Sequence, residues 1–166
     1  MDKTKYLSQK ELELVKSKLN PHKAEHIAIM LLINSGARAS EVLNLDQASI
    51  NHEAHSIYIK GLKGSHNREI PLNDSAWNTL SRYLERQTGH KLFSFTLRWL
   101  QLTWNKLMPF KSIKSTRHTF AINLYKSCRD IKLVQKALGH KSITNTMVYM
   151  DYVYTTEELK NALKGL

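Results

Sequence analysis

Apolar and polar residues alternate along this chain with two different periods, and the changes of period divide it into elements. Ser8-Gln9-Lys10-Glu11 has the S-x-x-E pattern in which a serine hydroxyl and a glutamate cap a first helical turn reciprocally, and it predicts a helix from Ser8 to about Leu19. Asn20-Pro21 breaks it, with the proline suited to the start of the next helix. Ala24, Ile27, Ala28, Leu31 and Leu32 then follow the i, i+3, i+4, i+7, i+8 spacing of a buried helical face, up to a stop at Ser35-Gly36. Residues 37–45 read as a short helix that carries Arg38 just behind the glycine. From His55 to Leu72 the period falls to two. Ser56-Ile57-Tyr58-Ile59-Lys60 is rich in strand formers, Arg68-Glu69-Ile70-Pro71-Leu72 alternates, and Gly61, Gly64 and Ser65 make the turn between them. A small antiparallel hairpin is expected, with Lys63 at its turn and Pro71, which lacks a ladder donor, at an edge.

Helical spacing then returns. Ala76, Leu80, Tyr83 and Leu84 form one face before a Thr88-Gly89 break, and Leu97, Leu100, Trp104, Leu107 and Met108 form another, ended by Pro109. Ser115 to about Ser127 makes a third, with Phe120, Ala121, Leu124 and Tyr125 inward. Asp130 caps a fourth over Ile131, Val134 and Leu138, which Gly139 stops. A further short helix delivers Tyr149, nine residues after His140. Thr155-Thr156-Glu157-Glu158 opens a tail helix, within about residues 150–166, with a narrow stripe of Leu159, Ala162, Leu163 and Leu166. The expected architecture is mainly α with a small antiparallel β-sheet (α+β), in a single domain over residues 1–166 without internal repeats.

Composition changes this picture in three ways. Lys plus Arg number 25 against 14 Asp plus Glu, a formal charge of +11, which suits either a polyanionic partner such as nucleic acid or a well-solvated basic surface. A single cysteine, Cys128, excludes an intramolecular disulfide and a cysteine zinc cluster. The polar start has no signal-peptide core, and the longest apolar run, Ile27 to Ile33, is too short to span a bilayer, so a soluble, cytoplasmic protein without membrane contact is expected. There is no G-x-x-x-x-G-K-[ST], H-E-x-x-H, C-x-x-C or G-x-S-x-G, and the histidines lack metal-ligand spacing.

Arg117 continues the apolar face of its helix toward the N-terminal end, because Phe120 and Ala121 lie three and four residues on. A guanidinium there requires an anionic partner, either an internal carboxylate or a bound anion. Lys114, one turn earlier, favours the anion, since two cations at the positive end of a helix repel each other without one. Arg38 is either inward-facing or a solvated helix-start residue, with Glu41 its structural partner. Lys63 is a solvated loop lysine or a mobile proton donor. His118, next to Arg117, is expected to leave a different face of the helix. Among the hydroxyls of the last third, Tyr125 falls on a core face, whereas Tyr149, Tyr152 and Tyr154 stay open as candidates.

Taken together these segments resemble the catalytic domain of tyrosine recombinases, the phage integrase and Xer family. Ser35-Gly36-Ala37-Arg38-Ala39-Ser40-Glu41-Val42-Leu43-Asn44-Leu45 is similar to the first arginine box, T-G-x-R-x-S-E-L-x-x-L. Lys63 through Leu72 resembles the hairpin that carries a lysine and ends in R-x-[IV]-P-L, and Ser115-Thr116-Arg117-His118-Thr119-Phe120-Ala121 resembles L-R-H-T-F-A. Leu138-Gly139-His140 with Ser142, Ile143 and Thr146 is similar to the L-G-H box, and Tyr149 falls where the family's nucleophile belongs. The resemblance runs from about Leu7 to the C-terminus and implies a DNA breaking-rejoining fold. It implies that Arg38 and Arg117 clamp the scissile phosphate. Tyr149 would form a 3′-phosphotyrosyl link and release a 5′-hydroxyl that Lys63 protonates, while His140 assists proton transfer or holds the phosphate. No ATP, metal or other cofactor is implied. The implied partners are double-stranded DNA and other copies of the chain, as a homotetramer exchanging C-terminal helices on DNA and a monomer in solution.

Two departures stand out. The position three residues before the second arginine is usually histidine and here is Lys114, and a lysine ammonium is a poor base near neutrality. Activation of Tyr149 then leans on His140 or on the clamped phosphate. The family's N-terminal core-binding domain has no counterpart, as expected of an excised catalytic fragment or a naturally short recombinase. A non-cleaving DNA-binding module and a type IB topoisomerase are the competing functions.

Overall fold

The computed structural model describes residues 5–165, and one helix runs through the middle of its core. In chain order the elements are α1 (Gln9–Lys18), α2 (Ala24–Ser35), α3 (Ala39–Leu43), β1 (Ile50–Asn51), β2 (Ser56–Ile59), β3 (Arg68–Pro71), α4 (Asp74–Leu84), α5 (Leu97–Leu107), α6 (Ser115–Cys128), α7 (Ile131–Leu138), α8 (Thr144–Met147) and α9 (Thr156–Leu163). Short 3-10 turns lie at Gln47–Ser49 and Met150–Tyr152. The cap on α1 is the one its sequence predicts: the Glu11 amide donates to Ser8 Oγ at 3.3 Å, and the Ser8 amide to the Glu11 carboxylate at 2.7 Å. Pro21 sits in the turn before α2 rather than in its first turn, because Lys23 takes the N-cap.

The helix in the middle is α2. Every residue from Ile27 to Ile33 is buried, so the one-sided stripe read from the sequence is too narrow. A helix apolar on all sides is covered on all sides, and α2 packs against α3, α4, α5 and α6. The sheet has three antiparallel strands in the order β1-β2-β3, one more than the expected hairpin. Ile50 pairs with Ile57, and Ile57 with Ile70, while Pro71 opposite Ser56 occupies the outer strand. The two residues of β1 are too few to show a period. A second apolar cluster joins Ala121, Ile122, Tyr125, Val134, Leu138, Tyr149 and Val153, so α6, α7 and the segment after α8 pack as a unit.

The hairpin is fastened to the end of α7. The His66 amide donates to the Gly139 carbonyl at 2.9 Å, and Arg68 Nε donates to the Ala137 carbonyl at 2.8 Å. Gly139 closes α7 at φ 71°, where an L side chain is strained, and a Cβ there would lie 2.7 Å from the His66 carbonyl oxygen. The tail helix α9 buries none of its residues: Leu159 is 60% and Leu163 56% exposed, and its tie to α6 is an ion pair between Arg129, just past the end of α6, and Glu158. Leu166 of the expected stripe lies outside the described residues. No described helix is long and apolar enough to cross a membrane.

Gly139→Ala is expected to lower stability by about 1–3 kcal/mol in urea unfolding, through the left-handed backbone and the crowding of the hairpin. An unchanged midpoint would mean that α7 and the hairpin do not meet this closely.

Candidate active site

Arg117 stands in the first turn of α6 with its guanidinium between the C-terminal ends of two other helices. Nη1 donates to the Gly36 carbonyl at 2.6 Å and Nη2 to the Leu138 carbonyl at 2.9 Å. Helix ends leave such carbonyls without intrahelical partners and carry partial negative charge, so they hold a cation without neutralising it. Gly36 closes α2 at φ 62°, and a Cβ there would run into the Phe120 ring. Among the described ion pairs none joins Arg117 to a carboxylate, so the internal salt-bridge reading gives way to an open cationic site. Burial, then the charges of Arg38 and Arg68, push the Arg117 pKa down to about 10, which leaves it protonated at neutral pH.

Glu41 is the carboxylate at this centre, and Arg68 is its main partner rather than Arg38. Arg68 Nη2 lies 2.8 Å and Nη1 3.3 Å from its oxygens, with both side chains buried. Arg38 adds its backbone amide at 2.8 Å and a longer side-chain contact at 3.4 Å, and its Nη1 also donates to the Ser65 hydroxyl. Burial opposes ionisation of Glu41, but the Arg68 hydrogen bonds, the Arg38 amide and the charges of Arg68 and Arg117 outweigh it and hold the pKa below the ordinary value. The acid thereby fastens α3 to β3, and its anchored side chain leaves the Arg38 guanidinium partly exposed.

A cavity of about 560 Å³ opens beside these groups, and Arg38, Lys63, Lys114, Arg117, His140 and Tyr149 all line it. The structure therefore brings together every residue that the sequence nominates. No carboxylate is among the described residues lining it, so Arg38, Lys63, Lys114 and Arg117 face a common space with no acid in its wall. Lys63 reaches it from an exposed turn at φ 52°, followed by Gly64 at φ 79°. Lys114 is the exposed N-cap residue of α6. Leu97, expected in the core, instead lines this cavity and is 40% exposed. Such a wall suits a tetrahedral oxyanion.

The tyrosines separate cleanly. Tyr125 is buried with its hydroxyl 2.6 Å from that of Tyr154, and Tyr152 packs edge-on to Tyr6. Tyr149 lines the cavity at 3% exposure, at the junction of α8 and the Met150–Tyr152 turn. Burial raises its pKa, against the opposing charge of Arg117. His140 Nδ1 is 2.9 Å from the Thr146 hydroxyl; burial, with Arg117, Arg38 and Arg68, pushes its pKa down to about 4, so it is neutral at pH 7.

One residue corrects the sequence reading. His118 also lines the cavity, and its Nδ1 is 3.0 Å from the Tyr149 hydroxyl. Adjacent helical residues do diverge, but His118 is four positions after Lys114, and residues at i, i+3 and i+4 share a face. That spacing is the signal that finds it.

Solved structures share this fold. The XerH site-specific recombinase bound to difH substrate, in a pre-cleavage complex, superposes with a TM-score of 0.78 at 24% identity, over 96% of this chain and 53% of that one. The catalytic domain of bacteriophage HP1 integrase gives 0.70 at 21% identity, over 96% of this chain and 93% of that one. The architecture is that of a tyrosine-recombinase catalytic domain. Residues 5–155 match the phage integrase family, and the chain belongs to it. Its relatives include tyrosine recombinase XerA of Pyrococcus furiosus, 28% identical over 84% of this chain and 54% of that protein. Tyrosine recombinase XerD of Mycobacterium tuberculosis is 31% identical over 72% of this chain and 45% of its own length. The chain spans about half the length of these curated relatives.

The depressed histidine sets a pH dependence. Between the ordinary value of 6.5 and about 4, unfolded His140 binds a proton that the folded form does not, so stability is complete above pH 6.5 and falls on acidification. Thermal unfolding followed from pH 7 to pH 5 should show a falling midpoint, with a shallower fall in His140→Asn. Parallel curves for the two proteins would contradict the assignment.

Proposed function

We propose that this domain breaks and rejoins DNA strands in site-specific recombination, through a covalent 3′-phosphotyrosyl link to Tyr149. The observation that carries this reading is the acid-free cavity in which Arg38, Lys63, Lys114, Arg117 and His140 surround a buried tyrosine hydroxyl. Relatives named as tyrosine recombinases support it.

The arginines stabilise a pentavalent phosphorane, whose extra negative charge exceeds that of the ground-state diester. Tyr149 Oη attacks phosphorus as the bond to the 5′ oxygen breaks, and Lys63 protonates that oxygen from its turn. Neutral His140 donates a hydrogen bond to a non-bridging oxygen. The ester bond now joins DNA to protein, so the 5′-hydroxyl of a second strand reverses the step without an external energy source. Duplex DNA also answers the charge of +11, and salt should weaken its binding. Acting on the chromosome would put the protein on the nucleoid, in the cytoplasm.

Pairing of two cleaved sites needs four copies on DNA. The exposed stripe on α9 supports a homotetramer in which this helix docks on a neighbouring copy, while the copies remain monomers in solution.

Incubation with a nicked suicide duplex carrying a recombination site should yield an adduct that survives denaturant, and Tyr149→Phe should yield none. An adduct of undiminished amount in that variant would assign the nucleophile elsewhere. For the tail, Leu159→Glu combined with Leu163→Glu should retain binding to a half-site and lose the four-copy complex on native gels. An intact complex would remove α9 from the assembly.

A further inference from the structure

The proposed reaction leaves one proton without a destination, that of the Tyr149 hydroxyl. Burial makes a phenol harder to ionise, so a nucleophile at 3% exposure is poorly reactive until a base takes its proton. Position 114, where the resembling family usually has histidine, holds a lysine, and the structure leaves Lys114 exposed at the N-cap of α6. His140 Nδ1 is already engaged with Thr146.

We propose that His118 is the catalytic base of this site, its Nδ1 taking the proton from Tyr149 Oη as that oxygen attacks phosphorus. This rests on the recombinase reading above and adds a residue to it. Three observations carry it. The Nδ1 to Oη distance is 3.0 Å, within reach for direct proton transfer, and both residues line the same cavity. The rings lie 5.7 Å apart at an interplanar angle of 51°, tilted rather than stacked, and the hydroxyl meets the ring at its Nδ1 nitrogen. His118 also sits one residue after Arg117 on α6, which ties the base to the same rigid helix as the phosphate clamp.

The surroundings keep the imidazole unprotonated and able to accept. Burial lowers its pKa, and the charges of Arg117, Lys5 and Lys114 lower it further. These come from its own helix and from the segment before α1, while Tyr149 faces it from the segment after α8 and His140 from the end of α7. With its own proton on Nε2, the ring takes the phenolic proton on Nδ1 and becomes imidazolium. The Oη–P bond forms, the bond from phosphorus to the 5′ oxygen breaks, and the Lys63 ammonium gives that oxygen its proton. In the return step the incoming 5′-hydroxyl restores the Lys63 proton, and His118 returns its own to Tyr149. Protons and charge therefore balance over the cycle.

Single-turnover cleavage of the suicide duplex tests this. His118→Ala and His118→Asn should each slow adduct formation by about 10²- to 10⁴-fold, with half-site binding retained. Asparagine keeps an acceptor near the Nδ1 position but is no base, so equal loss in both variants separates proton transfer from mere positioning. The wild-type rate should fall on acidification as His118 protonates, and that limb should vanish in the variants. Added imidazole should partly restore His118→Ala. A duplex with sulfur replacing the bridging 5′ oxygen, whose thiolate leaves without an acid, should rescue Lys63→Ala and leave His118→Ala slow. Variants that cleave within a few-fold of wild type, or sulfur rescue of His118→Ala, overturn the role while leaving the function standing. A wild-type chain that forms no adduct on any duplex overturns both.

Discussion

The Glu41 carboxylate, buried beneath Arg68 and touched by Arg38, answers the charge of a cluster whose third member, Arg117, donates to the helix-end carbonyls of Gly36 and Leu138. Three guanidiniums and one acid leave a positive excess in a largely desolvated place. Removing the acid would leave the Arg68 charge buried without a counter-charge, at a cost of about 3–5 kcal/mol. Adding a second acid would reduce that excess and with it the affinity for an anion. The site depends on this balance, with enough negative charge for the domain to fold and too little for the cavity to be satisfied without an anion.

That imbalance reaches the other groups. Together with burial, the larger cause, it drives the two histidines toward their neutral forms, one able to donate to a phosphate oxygen and one placed against the tyrosine hydroxyl. An anion in the cavity would reverse part of this pressure, because negative charge stabilises the protonated imidazole. In the proposed reaction, binding of a phosphodiester would therefore make His118 a stronger base at the moment when a base is needed. The same electrostatics that draws the anion also tunes the proton chemistry.

Much of this was legible in the sequence, for reasons that differ by residue. The cap on α1, the stop at Gly139 and the edge proline follow from local backbone chemistry, which needs no tertiary context. Gathering of Arg38, Lys63, Lys114, Arg117, His140 and Tyr149 in one cavity was visible as four ordered motifs, yet choosing Tyr149 over Tyr152 and Tyr154 needed the resemblance as well as the residues. The encirclement of α2 and the two-residue strand β1 were not legible, since both are set by what packs around them. Arg68 as the partner of Glu41 was hidden because the pair joins residues 27 positions apart. His118 is legible only through its i, i+4 relation to Lys114, because its relation to the adjacent Arg117 points it to a different face.

The placement of these groups also divides them by stiffness. Arg117 and His118 belong to α6, the longest helix described at 14 residues, and Arg38 and Arg68 are locked onto one carboxylate between a helix and a strand. Lys63 sits on an exposed turn at φ 52°, whereas Tyr149, where α8 passes into the Met150–Tyr152 turn, is packed into the second apolar cluster with its amide bonded to the Thr146 carbonyl at 3.0 Å. A transition state charged over its non-bridging oxygens rewards a clamp that does not rearrange, because the cost of orienting the dipoles is met at folding. In-line displacement asks something else of the two apical partners. The attacking and leaving oxygens each travel as one bond shortens and the other lengthens, and a second strand must later replace the first. In the proposed reaction the arginines on α6, α3 and β3 would meet the first demand, and Lys63, carried by an exposed turn, would follow the leaving oxygen without disturbing them.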